Sequence, residues 1–77
     1  MKPTRAEFKA KILRVYPGAQ VIEADRGLIV IVGTEPIARQ IAVWAIIDRL
    51  TPQSPETDGP DSWTFRIFGV QRQKRVA

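Results

Sequence analysis

The sequence predicts a small α+β domain: a compact two-layer structure with element order α-β-β-α-β, in which two helices pack on one face of a three-stranded sheet. Apolar residues recur at helical spacing in two segments, at 5–16 and 35–50. An apolar, β-branched run at 28–32 and an alternating pattern at 62–70 are typical of strands. A chain of 77 residues has room for one core, so we expect 1–77 to form a single domain.

The first helix is predicted over Arg5–Tyr16. Thr4 and Glu7 have the spacing of a capping box, in which each side chain accepts a hydrogen bond from the other residue's backbone N–H. Apolar residues at i, i+4 and i+7 predict the side of the helix that faces the core. These residues are Phe8, Ile12 and Val15. Pro17-Gly18 ends the helix, because proline cannot continue it and glycine turns freely.

Two strands follow, Ala19–Asp25 and Leu28–Val32, and the short turn between them predicts a β-hairpin. The first strand mixes polar and apolar residues, as strands at the edge of a sheet do. The second is apolar throughout, which is typical of a strand with neighbours on both sides. We therefore expect the second strand to lie at the centre of the sheet.

The second helix is predicted to begin after Thr34, a good N-cap, and to run to about Leu50. Seven consecutive apolar residues at 41–47 give it two apolar sides. One side contains Ile37, Ile41, Trp44 and Ala45. The other side contains Val43, Ile46, Ile47 and Leu50. A chain this short has little protein with which to cover both sides, so we expect another molecule to cover part of this helix.

The remainder of the chain predicts a mobile loop at 51–61, rich in Pro, Ser and Asp, then a third strand at 62–70 and a frayed basic tail at 71–77. If the third strand lies beside the second, the long helix between them makes the two strands parallel. If it lies beside the first strand, the sheet is antiparallel throughout. The sequence leaves both orders open.

The composition argues against catalysis. The chain contains no Cys, so thiolate chemistry is absent, and no His, which removes the commonest general acid–base group and the commonest metal ligand together. We therefore expect no enzyme activity, no cofactor and no metal. Residues 1–16 are charged and lack the apolar stretch of a secretory signal, and the longest apolar run is far shorter than a membrane span. These features predict a cytoplasmic protein with no membrane contact.

The first functional hypothesis is a non-catalytic protein that acts by binding another macromolecule, with protein as the first choice of partner. The surplus of apolar surface predicts self-association as a homodimer, and the small size suits a regulator or inhibitor of the kind that phages and mobile elements encode. Aromatic and arginine side chains often dominate such interfaces. The predicted contact residues are Val43, Trp44, Ile47 and Leu50 on the helix, and Arg66, Phe68 and Val70 on the sheet.

The second hypothesis is a small basic nucleic-acid-binding protein. The net charge is +4, and the cations are concentrated at the two ends of the chain, with five in residues 1–16 and four in 66–77. Phosphate contacts by lysine and arginine would make such binding strongly dependent on salt. The candidate residues are Lys9, Lys11, Arg14, Arg66, Arg72, Lys74 and Arg75.

Overall fold

The computed structural model describes residues 2–71, except the side chain of Asp58. It contains two helices and five strands in the order α1-β1-β2-α2-β3-β4-β5. The helices are α1, Arg5–Val15, and α2, Glu35–Ile47. The strands are β1, Gln20–Ala24; β2, Gly27–Val32; β3, Thr51–Pro52; β4, Glu56–Gly59; and β5, Ser62–Phe68.

The five strands form one antiparallel sheet. Its order is β1-β2-β5-β3, and β4 pairs with β5 on the same edge as β3. The predicted hairpin of β1 and β2 is confirmed, as are the edge position of β1 and the inner position of β2. The small α+β class is therefore confirmed, but the expected sheet of three strands is wrong because the structure has five.

The two additional strands explain why neither predicted strand order is correct. The segment 51–61, predicted as a loop, contains β3 and β4, which run in the same direction as β2. The chain reverses at 60–61, and β5 then inserts between β2 and the β3–β4 edge. The last strand consequently lies beside the second, but antiparallel to it. Proline at positions 52 and 55 hid these strands from the sequence pattern, since edge strands tolerate proline better than inner strands do.

One face of the sheet carries the core. Val21, Val30 and Phe65 lie side by side across β1, β2 and β5, and Leu28 and Ile67 form the next row. All five are at least 93% buried and belong to the same cluster as the buried residues of both helices. The two helices therefore cover this face, as the sequence predicted, and the opposite face of the sheet remains open.

Helix α1 begins as predicted. Thr4 Oγ1 accepts from the N–H of Glu7 at 3.1 Å, and Glu7 Oε1 accepts from the N–H of Thr4 at 2.8 Å, which completes the capping box. Phe8 and Ile12 are fully buried, but Val15 is 53% exposed. The prediction that Val15 faces the core is wrong, because α1 ends at this residue and no element covers its side chain.

Helix α2 ends three residues earlier than the sequence predicted. The N–H of Leu50 bonds the carbonyl of Ala45 at 2.7 Å, and the N–H of Arg49 bonds that of Ile46 at 2.9 Å. This pair of bonds is a Schellman motif, and Arg49 occupies its left-handed position with φ of 65°. The motif turns Leu50 back into the core, where it is 5% exposed.

The two termini of the described segment meet. Thr4 and Gln71 form a parallel β-bridge, and the N–H of Gln71 donates to the carbonyl of Pro3 at 2.9 Å. Gln71, which the sequence placed in a frayed tail, is thus attached to the start of α1. The remainder of the predicted tail, 72–77, lies outside the described residues.

Candidate functional site

The outer side of α2 is apolar in the half of the helix nearest its C-terminus. Val43, Ile46 and Ile47 are 48%, 62% and 68% exposed, and we call these three residues the α2 patch. They have the i, i+3, i+4 spacing that places side chains on one side of a helix. The core side of α2 carries Ala38, Ile41 and Ala45, each fully buried. Apolar residues therefore occupy two sides of this helix.

Two of the helix residues predicted as contacts are directed elsewhere. Leu50 is buried in the core, so the prediction that it contributes to an exposed surface is wrong. Trp44 is half-buried, and its ring stacks on Tyr16 at a centroid separation of 5.6 Å. Trp44 thus joins α2 to the end of α1 within the protomer. Ile46, which had not been singled out as a contact residue, belongs to the patch because of its helical spacing.

The open face of the sheet is the second apolar surface. Ile22 is 48% exposed, and Ile29, Ile31 and Phe68 are half-buried. Ile22, Ile29 and Arg66 form one row across the three strands, so the predicted contacts Arg66 and Phe68 both lie on this face. The third predicted contact on the sheet, Val70, does not belong to this face. It follows the end of β5 and packs against the core cluster.

An open cleft of about 660 Å³ lies where the β3–β4 edge borders this face. Arg66 and Glu56 both line it, and Ile29, the neighbour of Arg66 on β2, adds an apolar side chain. The lining of this cleft therefore combines an apolar side chain with charges of both signs. The alternating pattern of β5 in the sequence predicted that Arg66 lies on the open face, because Phe65 and Ile67 point to the opposite face.

The predicted nucleic-acid residues are dispersed. Lys11 lies between the helices, where its Nζ bonds Asp48 Oδ2 at 3.1 Å and lies 5.9 Å from the centroid of the Trp44 ring. Lys9 is half-buried, and Arg14 is exposed in the last turn of α1. Arg66 is on the open face of the sheet, so these four cations do not form one stripe. Arg72, Lys74 and Arg75 lie outside the described residues.

A different set of cations is brought together at the end of the sheet where the two termini meet. Arg5 donates a hydrogen bond to the carbonyl of Ala24, and it shares a cavity of about 320 Å³ with Arg26 of the β1–β2 turn. The side chain of Lys2 approaches Gly69 at the same end. We call Lys2, Arg5 and Arg26 the basic end. The sequence could not group these three residues, since they are separated by as many as 24 positions.

The described part of the chain offers no group of three acidic side chains arranged to hold a metal ion. Neither α1 nor α2 is long and apolar enough to cross a membrane. No protein-family model, curated protein or solved structure matches the chain, so its function has to be inferred from the surfaces of the molecule itself.

Proposed function

We propose that the protein is a non-catalytic protein-binding domain that self-associates through the α2 patch. The observation that carries this proposal is the exposure of Ile46 and Ile47, at 62% and 68%, on the side of α2 that faces away from the sheet. Adjacent exposed isoleucines on a small domain are typical of interaction surfaces. A surface of this kind suits a small regulator or inhibitor that acts by occupying its partner.

A second copy of the chain is the partner that fits this patch best. The three patch residues carry no charge, and Arg39, one helical turn before Val43, is already paired with Glu35 at 2.7 Å. The patch therefore requires no complementary charge from its partner. An apolar patch is complementary to itself, and a twofold-symmetric dimer brings the same surface of both copies together.

The size of the patch indicates a weak dimer. Full burial of a valine or isoleucine side chain contributes about 1.5–3 kcal/mol, and between about half and two-thirds of each patch residue is exposed. Covering all three in one protomer therefore contributes about 3–5 kcal/mol. Association costs about 4–15 kcal/mol in lost rigid-body freedom. With both copies contributing, we expect dimerisation in the upper micromolar range.

Sedimentation velocity over protein concentrations from about 10 μM to about 1 mM tests the proposal. Ile46→Lys/Ile47→Lys should leave the protein monomeric throughout, because each lysine would bring its charge into an apolar contact. Ala6→Lys/Ala10→Lys is the matched control, since both alanines are exposed on the outer side of α1 and the net charge becomes the same. The control should dimerise as the wild type does. The proposal would be contradicted by a wild type that stays monomeric at the highest concentration. It would also be contradicted if the control variant lost dimerisation to the same extent as the patch variant.

A further inference from the structure

The first residues of the chain and the residues that follow β5 meet in the folded protein. The bridge between Thr4 and Gln71 fixes the start of α1 against the chain that follows β5. Lys2 and Arg5 lie at this junction, since Lys2 Nζ approaches Gly69 and Arg5 lines a cavity together with Gly69 and Gln71. The β1–β2 turn adds Arg26 at the same end of the sheet.

The cavity at this end combines cations with an aromatic ring. Arg5 and Arg26 line it together with Phe68, the last residue of β5, and Asp25 is the acidic residue that accompanies them. Phe68 is half-buried, so part of its ring remains accessible. Arg66 lies two residues earlier in β5 and shares the open face with Phe68, because alternate residues of a strand point to the same side.

We propose that the basic end binds single-stranded nucleic acid, with Lys2, Arg5 and Arg26 contacting phosphates and Phe68 stacking on a base. Proteins that bind single strands combine a basic groove with aromatic side chains, since every base offers a face for stacking. Arg66 extends the same surface along the open face of the sheet. This site is separate from the α2 patch, so either proposal can fail without the other.

A single strand fits this site better than a duplex does. A duplex is usually read by a helix or a two-stranded ribbon that enters a groove. The cations of α1 do not provide such an element, because Lys11 is engaged with Asp48 between the helices and Arg14 lies in the last turn, away from the basic end. A small cavity with one accessible ring instead suits an unstacked base and its flanking phosphates.

Fluorescence anisotropy with a labelled oligothymidylate of about 20 nucleotides, in about 50 mM salt, tests the site. Lys2→Gln/Arg26→Gln should weaken binding about tenfold or more and reduce the slope of log K against log salt by about 1.4, or about 0.7 for each lost phosphate contact. Both side chains are exposed, so the variant should retain the fold. Arg14→Gln/Arg39→Gln removes the same net charge elsewhere and should weaken binding less than about twofold.

Phe68→Leu separates stacking from charge, because it should weaken binding several-fold while leaving the salt slope unchanged. Three results with nucleic acid would overturn the proposal: no binding of the oligothymidylate, equal weakening by the two charge-removing variants, or tighter binding to a duplex of the same length. Tighter binding to vesicles that contain anionic lipid would also overturn it, because the basic end would then be a lipid-binding surface.

Discussion

At the scale of single residues, the fold depends directly on the absence of a side chain at Gly27. Its φ is 131°, a conformation that residues with a Cβ rarely adopt. It is also packed against β5, and a Cβ at this position would overlap with the carbonyl oxygen of Ile67. Glycine is therefore required here both by the backbone conformation and by the close approach of β2 to β5.

Gly27→Ala should lower the free energy of unfolding by about 2–4 kcal/mol, because the new methyl group meets backbone that cannot move without disrupting the sheet. Urea unfolding followed by circular dichroism measures this change. Gly18→Ala is the matched control, since no atom outside the neighbouring residues lies within 4 Å of a Cβ there. The control should change stability by less than about 1 kcal/mol. If both variants changed the free energy of unfolding equally, the close approach of β2 to β5 would not be the reason that position 27 requires glycine.

At the scale of an element, the end of α2 determines what the helix exposes. The Schellman motif stops the helix after Ile47 and directs Leu50 to the core, while the α2 patch remains on the outer side. Glycine usually occupies the left-handed position of this motif, but here the residue is Arg49. A non-glycine residue in this conformation costs about 1–2 kcal/mol, so the chain ends α2 at some cost in stability.

Arg49→Gly should raise the free energy of unfolding by about 0.5–1 kcal/mol, because glycine removes the steric cost of the left-handed conformation. Arg39→Gly makes the same chemical change inside α2 and should lower it by about 1 kcal/mol, since glycine is a poor helix former. Thermal and urea unfolding of both variants would measure the two effects. If both variants lose stability, the strain assigned to Arg49 is absent.

At the scale of the whole molecule, the end of α2 contacts the second half of α1 and its cap, Tyr16. The Tyr16 and Trp44 rings stack there, and Lys11 lies 5.9 Å from the Trp44 ring centroid while bonding Asp48 at 3.1 Å. Both members of the ion pair are partly exposed, so the pair itself adds little stability. We infer that the aromatic stack contributes most to holding the helices together at this end.

Trp44→Ala should therefore lower the free energy of unfolding by about 2–3 kcal/mol, because the ring is packed within the protomer rather than fully exposed. Trp44→Phe keeps a ring against Tyr16 and should cost less than about 1.5 kcal/mol. Denaturant unfolding at low protein concentration measures the loss in the monomer. If Trp44→Ala left the monomer stability unchanged and abolished dimerisation, the ring would act at the interface instead.

The charge distribution is also a property of the whole molecule. Strand β5 begins after the acidic β4–β5 turn, which contains Asp61, and ends at Phe68 beside the basic end. The sheet therefore separates an acidic turn from a basic junction. In the sequence these charges appear as a basic start, an acidic segment at 51–61 and a basic finish. Only the folded chain brings the start of the sequence against Gln71.

Much of the architecture could be predicted because it depends on local signals. The capping box of Thr4 and Glu7, the β1–β2 hairpin and the alternation of β5 are all patterns within a few residues. The same holds for the two apolar sides of α2, since helical spacing alone identifies Val43, Ile46 and Ile47 as a group. These patterns did not predict β3 and β4, which are short edge strands in a segment rich in proline.

By itself, the sequence determined the class of the fold, the positions of the main helices and strands, and the presence of more apolar surface on α2 than one side of a helix can bury. Only the tertiary structure decided the order and direction of the strands, the inward position of Leu50 and the meeting of Lys2, Arg5 and Arg26. The physical reason is that helices, caps and tight turns depend on neighbours in sequence, whereas the insertion of β5 and the basic end depend on contacts between residues far apart in the chain.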